Sequence, residues 1–295
     1  MLSIRLFYKI VRLYIFLPVL LLTPACQPNL TLLETIQQTG ELVVATQSGP
    51  TTYFQAHGQS TGLEYELARQ FADFLGVALK IVKSNDEKEL LSLLKSGKAH
   101  AAAGLAMTPV RSKEFLFSPP YQEVTQQLVF KIGTQNPKSI AEIGNGKLVI
   151  MANSSHADYL EKVKPDFPGL TWEEVYGATA LDILTMIHEG KADYTIINSN
   201  VLDAHQSVFP ELRAAFDITQ PEPLAWAFRH SSDHSLVLSA HTFFQDAQKA
   251  GTLEELKMRF YSHQLFDYVD ARTFLRHIDK RLPRYKKTFK TAATE

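Results

Sequence analysis

The sequence contains one cysteine, Cys26, so no internal disulfide can brace the fold and its apolar core must hold it. It has no excess of either charge: 30 Lys and Arg face 31 Asp and Glu, a formal net charge of −1. That balance removes any electrostatic case for nucleic acid or for an anionic membrane surface as partner. A membrane-length apolar run is missing too. Leu13–Leu22 (LYIFLPVLLL) is about ten residues, half of the ~20 that a spanning helix needs. Several catalytic signatures are also absent: no Walker A loop, HExxH or CxxC occurs, and no Glu-Ser dipeptide. His230 and His234 stand four apart in a polar segment with no third ligand nearby, so neither a metal nor another cofactor is expected.

At the amino terminus, Arg5, Lys9 and Arg12 precede the short apolar run, which has the form of a secretory leader over residues 1–25. Cys26 follows Thr23-Pro24-Ala25. Its position fits a lipoprotein signal, in which the cysteine is acylated, and also ordinary cleavage after Ala25. Either route predicts a periplasmic protein. Acylation would add a membrane anchor, most simply at the outer membrane.

The chain is organised around Gly62–Tyr121. Leu63, Leu67, Phe71 and Phe74/Leu75 recur at helical spacing, with Glu64, Glu66, Arg69 and Asp73 between them, and Gly76 closes the helix. A β-branched strand over 77–82, an amphipathic helix over 89–95 and a small apolar strand over 100–105 follow. This alternation predicts parallel sheets covered by helices on both faces. Thr108-Pro109-Val110-Arg111 comes just after the last strand, where open α/β sheets bind ligands. Arg111 has the planar fork for a carboxylate, and Thr108 a hydroxyl beside it.

A faint repeat supports two equivalent lobes. Glu89–Gly104 (ELLSLLKSGKAHAAAG) and Ala180–Asn198 (ALDILTMIHEGKADYTIIN) both run helix, Gly-Lys-Ala, strand. Their separation is too long for a solenoid unit of about 20–50 residues. Lys147–Ala152 should open the second lobe, leading through Asn153-Ser154-Ser155 into a helix whose start suits an anion or a plain cap.

The ordered motifs GLEYELA, LKSGKAHAAAG, TPVR and FSPPY resemble the first lobe of the bacterial extracellular solute-binding proteins of family 3, over roughly residues 40–262. Within it, GLEYELARQFADFLGV, TQQLVFKIG, EGKADYTI and FDYVDARTFLRHIDKRLP resemble the non-catalytic domain of the lytic murein transglycosylase F family. The resemblance implies an α/β, two-lobed, periplasmic-binding-protein-like (type 2) fold. Each lobe would be a mainly parallel sheet with helices on both faces, joined by two crossing strands. Lobe 1 would take 41–131 and 225–262, and lobe 2 would take 132–224. Thr125–Lys131 and Ile218–Phe228 would carry the crossings, and 263–295 would extend toward a catalytic domain that this chain does not include.

The implied ligand is a small carboxylate, either a peptidoglycan-derived peptide or an amino acid. Arg111, Thr108, Tyr53, Ser154, Asn198 and Glu64 are the candidate contacts. In the family's Gly-x-x-Asp-x-x-x-x-Asp pattern the last acid meets the ligand ammonium. Here Asp193 is kept, at a strand start, but the last position is Asn198, and an amide cannot neutralise an ammonium. Glu64, Glu66 or Asp182 would have to substitute. The resemblance thus implies a non-catalytic binding domain that regulates peptidoglycan cleavage, with a transglycosylase catalytic domain as partner. An amino-acid transport protein serving an ABC permease is the alternative, and a dehydratase-like activity a distant third.

Overall fold

The structure is a computed structural model and describes residues 30–56 and 58–262. Cys26, the leader and the 263–295 extension lie outside these residues. The chain opens with α1 (Leu32–Thr39) and β1 (Glu41–Gln47), then a small hairpin of β2 (Phe54–Ala56) and β3 (Gln59–Thr61). Next come α2 (Leu63–Leu75), β4 (Ala78–Ser84), α3 (Glu87–Lys95), β5 (Ala101–Ala106), β6 (Phe115–Phe117) and β7 (Gln122–Val124). The second lobe comprises β8 (Gln126–Lys131), β9 (Leu148–Met151), α4 (Ser155–Val163), β10 (Glu173–Val175), α5 (Ala180–His188), β11 (Tyr194–Asn198), α6 (Ser199–His205) and β12 (Leu212–Asp217). The chain then returns to the first lobe through β13 (Glu222–Arg229), α7 (Ser235–Lys249) and α8 (Thr252–Ser262).

The two main sheets have matching strand orders, β4-β1-β5-β13-β6 and β10-β9-β11-β8-β12. In each, the first three strands run parallel and the fourth is antiparallel to them. Each sheet is therefore mainly parallel, as expected, with one reversed strand, because each lobe contributes a crossing strand to its own sheet. The helix–Gly-Lys-Ala–strand repeat falls on α3–β5 and α5–β11, whose strands hold the same central place in their sheets.

The crossing read over 125–131 is corrected by the register. All of β8 pairs with β11 and β12, so it belongs to lobe 2, while β7 pairs with β13 in lobe 1. The outward crossing is therefore confined to Thr125. The return runs beside it: Ile218 N donates to Gln126 O at 2.7 Å, and Gln126 N donates to Thr219 Oγ1 at 3.0 Å.

Side-chain alternation explains why both sheets are covered twice. Leu128, Phe130, Leu148, Ile150, Tyr194 and Ile196 pack with Leu160 of α4 on one face of the second sheet. The intervening Val129, Val149 and Ile197 share a cluster with Leu184 and Ile187 of α5. In lobe 1, Ala102 and Leu105 meet Leu90 and Leu94 of α3, whereas Ala101 and Ala103 share a cluster with Leu67 and Phe71 of α2. Trp226, fully buried, sits edge-on to Phe71 and Phe244 at 5.9 and 5.2 Å between ring centres. Among the described residues, no helix is long and apolar enough to cross a membrane.

Candidate functional site

The carboxyl ends of the parallel strands in both lobes open onto one cavity of about 230 Å³. This is where loops leaving such strands are free to carry binding groups. Lobe 1 contributes Gln47–Thr52 after β1, Ser84, Asn85 and Glu87 after β4, Gly104, and Glu64. Lobe 2 contributes Met151, His156, 177–180, Ile197, Asn198, Asn200, Val201 and His205. No lysine or arginine is among the lining residues, so the wall is polar and acidic rather than cationic.

Glu64 is the buried acid of lobe 1, 1% exposed on the first turn of α2. Its Oε2 accepts the indole N–H of Trp226 at 2.6 Å, and its Oε1 accepts the Tyr121 hydroxyl. Burial raises its pKa to about 7, against the lowering effect of those two donors. Gly104, at φ +79, permits this close fit, because a Cβ there would lie 3.3 Å from Glu64 Cγ.

Two buried histidines face the cavity from lobe 2. His156 Nδ1 lies 3.0 Å from Gln126 Oε1, and burial lowers its pKa to about 4. His205 Nδ1 donates to Val201 O at 2.7 Å, and burial lowers its pKa likewise to about 4. Asn200, also buried, lines the cavity, and its Oδ1 has no hydrogen-bond partner among the described residues.

Asn198 and Glu64 are the two predicted contacts that line the cavity. Arg111 is not open to it. Its guanidinium is almost wholly buried, with Nη1 donating to Ala106 O at 3.2 Å and Nη2 paired with Glu87 Oε2 at 2.5 Å. Thr108 serves the turn, its Oγ1 accepting from Arg111 N at 3.3 Å. Ser154 caps α4, accepting from Ala157 N and donating to Met151 O. Tyr53 is buried against Tyr65, with its hydroxyl 3.2 Å from Ser60 Oγ, while its neighbours Thr51 and Thr52 reach the cavity.

Of the acids that might replace the family's ammonium partner, only Glu64 lines the cavity. Glu66 pairs with Arg69 on the outer face of α2, and Asp182 closes the capping box with Thr179 at the start of α5. Asp193 accepts from Lys147 N at 2.7 Å and so braces the start of β11, as its position in the strand pattern predicts.

Sequence reasoning missed Glu87, Asn200 and the two histidines. Glu87 carries no motif of its own, and only its place after the N-cap Asp86, whose carboxylate accepts from Glu89 N, signals a helix start there. Among the described residues, no group of three or more His, Cys, Asp and Glu is placed to hold a metal ion.

Residues 42–263 match the family model of the bacterial extracellular solute-binding proteins, family 3. The chain is 40% identical over 278 residues to the membrane-bound lytic murein transglycosylase F of Ectopseudomonas mendocina, covering 92% of this chain and 57% of that protein. It is 37% identical over 265 residues to the protein of the same name from Saccharophagus degradans, covering 89% and 53%. The chain thus spans about half the length of the curated relatives it matches.

Solved structures with the same fold include a mutant of ArgBP from T. maritima (TM-score 0.71, 22% identity, 78% of this chain and 99% of that one). Another is an amino acid ABC transporter substrate-binding protein from Streptococcus pneumoniae bound to L-arginine (TM-score 0.69, 24% identity, 77% and 97%).

Proposed function

Because the chain belongs to the bacterial extracellular solute-binding proteins of family 3, we propose that it is the ligand-sensing domain of a lytic transglycosylase F-type protein. Its ligand is a small carboxylate compound, a peptidoglycan-derived peptide or an amino acid, held in the cavity between the lobes. Binding biases the lobes toward one arrangement and so regulates peptidoglycan cleavage by a catalytic domain of that type. The protein acts in the periplasm at a membrane, held through Cys26 or its leader.

The observation that carries this reading is the cavity itself. It is lined from both lobes, and the two crossings run side by side at Gln126 and Ile218, where a hinge motion would open or close it. At about 230 Å³ it is smaller than the roughly 300–1,000 Å³ of drug-sized sites, which suits a short peptide or single amino acid rather than a glycan strand.

The amino-acid transport reading is favoured by the L-arginine in the pneumococcal structure and disfavoured by Asn198 in place of an acid. Thermal melting of the protein against stem peptides and against free amino acids decides between them. A ligand at about 100 times its Kd adds about 2.7 kcal/mol, a clear shift. A response to stem peptides alone supports the sensor, and a response to one free amino acid supports transport. Silence toward both refutes a small-ligand role.

A further inference from the structure

The Arg111–Glu87 pair does more than neutralise a buried arginine. Glu87 Oε2 also accepts the backbone N–H of Ser155 at 2.9 Å, and that residue starts α4 in the opposite lobe. One carboxylate oxygen is therefore held by a guanidinium from lobe 1 and by a helix amino end from lobe 2. These are the two groups that protein chemistry most often offers to a carboxylate. The neighbouring residues repeat the link, since Asn153 Nδ2 donates to Asp86 Oδ2 at 2.8 Å. Burial alone would raise the Glu87 pKa. Arg111 and His156 nearby, with hydrogen bonds from Arg111 and Ser155, outweigh burial and keep it below the ordinary carboxylate value.

Three features make this carboxylate replaceable. Glu87 lines the cavity, so an incoming group can reach its position. It engages the guanidinium through one nitrogen only, Nη2, whereas a free carboxylate can take the guanidinium fork with both oxygens. Finally, Glu87 is the first residue of α3, so when displaced it still lies at a helix amino end, where a negative charge is favoured.

We infer that Glu87 is a tethered competitor for the carboxylate position between Arg111 and the amino end of α4, and that a ligand carboxylate must displace it to bind there. Glu87 thereby sets the affinity threshold of the site. This rests on the small-carboxylate reading above but concerns that seat rather than the identity of the ligand.

The test uses acetate as the probe, on the full chain, exchanging acetate for chloride at fixed pH and ionic strength. Glu87→Ala vacates the seat, so its melting temperature should fall in chloride and recover saturably with acetate. The apparent acetate affinity should exceed that of the wild type by about tenfold or more, the worth of one charge-assisted bond. Adding Arg111→Ala should abolish the recovery. Should Glu87→Ala not fold, Glu87→Gln keeps the shape and should still bind acetate more tightly than the wild type does.

Equal acetate responses in the wild type and the variant, or none in a folded variant, would overturn the competitor role. The two readings fail separately. A stem-peptide shift in the wild type without acetate rescue removes the seat and keeps the sensor. Acetate rescue without any stem-peptide response keeps the seat and removes the sensor's ligand.

Discussion

The indole N–H of Trp226 donates to Glu64 Oε2 at 2.6 Å, so the strand that returns from lobe 2 is fastened to the acidic wall of the cavity. Both partners are buried, and the bond survives whichever form Glu64 takes, because either carboxyl oxygen state can accept.

The pH response of that acid has a definite sign. Its pKa rises from an ordinary 4.5 to about 7, so the native state keeps a proton that the unfolded chain has released. Stability contributed by the neutral form is full below pH 4.5 and is lost as pH rises toward 7, by about 3 kcal/mol in all. Glu64→Gln should remove this decline. Unfolding free energies of the two proteins, measured by urea titration between pH 4.5 and 8, should converge at the acid end and separate at the alkaline end.

His156 works in the opposite direction. Burial depresses its pKa from 6.5 to about 4, so the unfolded chain takes a proton first and stability falls as pH drops from 6.5 to 4. His156→Gln should flatten that acid loss while leaving stability above pH 7 changed only by packing. Since His205 shifts in the same direction as His156 and Glu64 opposes both across the same window, Glu64→Gln should steepen the wild-type acid loss and His156→Gln should reduce it. Unchanged slopes in both variants would contradict both assignments.

Gly62, at φ +126 before α2, carries the tightest backbone approach near the cavity. A Cβ there would lie 2.3 Å from Thr52 O, on the loop that lines the site. Gly62→Ala should cost more than about 2 kcal/mol, strain and clash together. Gly40→Ala is the control: φ is +70, but nothing lies within 4 Å of its Cβ, so the cost should stay near about 1 kcal/mol. Urea denaturation measures both.

Asn153 is the one non-glycine residue with positive φ among those described, and its amide spans the cleft to Asp86. Asn153→Asp would set two carboxylates at that distance while leaving the backbone conformation accessible. The like charges should spread the lobes, raising the radius of gyration in small-angle scattering at neutral pH. High salt should reverse part of the change. No change at low salt would mean that the Asp86 contact does not hold the lobes.

Much of this was legible in the residues. The spacing of Leu63, Leu67 and Phe71, the short apolar runs of β1 and β5, and the two helix–Gly-Lys-Ala–strand units announce paired α/β lobes, because helical periodicity and continuous apolar strands report which elements are buried and on which faces. Glu64 and Asn198 could be named as cavity residues because each stands at a fixed place in a recognisable unit. The crossing at Thr125 was misplaced by several residues because β8 is apolar and β-branched enough to suit either lobe, and only its pairing with β11 and β12 assigns it.

What the sequence by itself determined, then, is the layering: which stretches are helix or strand, and that there are two similar lobes. Only the tertiary structure decided that Arg111 faces Glu87 rather than open cavity, that Ser155 reaches the same oxygen from the other lobe, and that His156 and His205 join the wall. Those relations join residues 24, 68 and more positions apart. No local pattern encodes them, because a side chain's partner across a cleft depends on how two separately formed lobes meet. The same physics sets the charge of the site, since the burial that moves Glu64 upward and His156 downward exists only once the chain has folded around them.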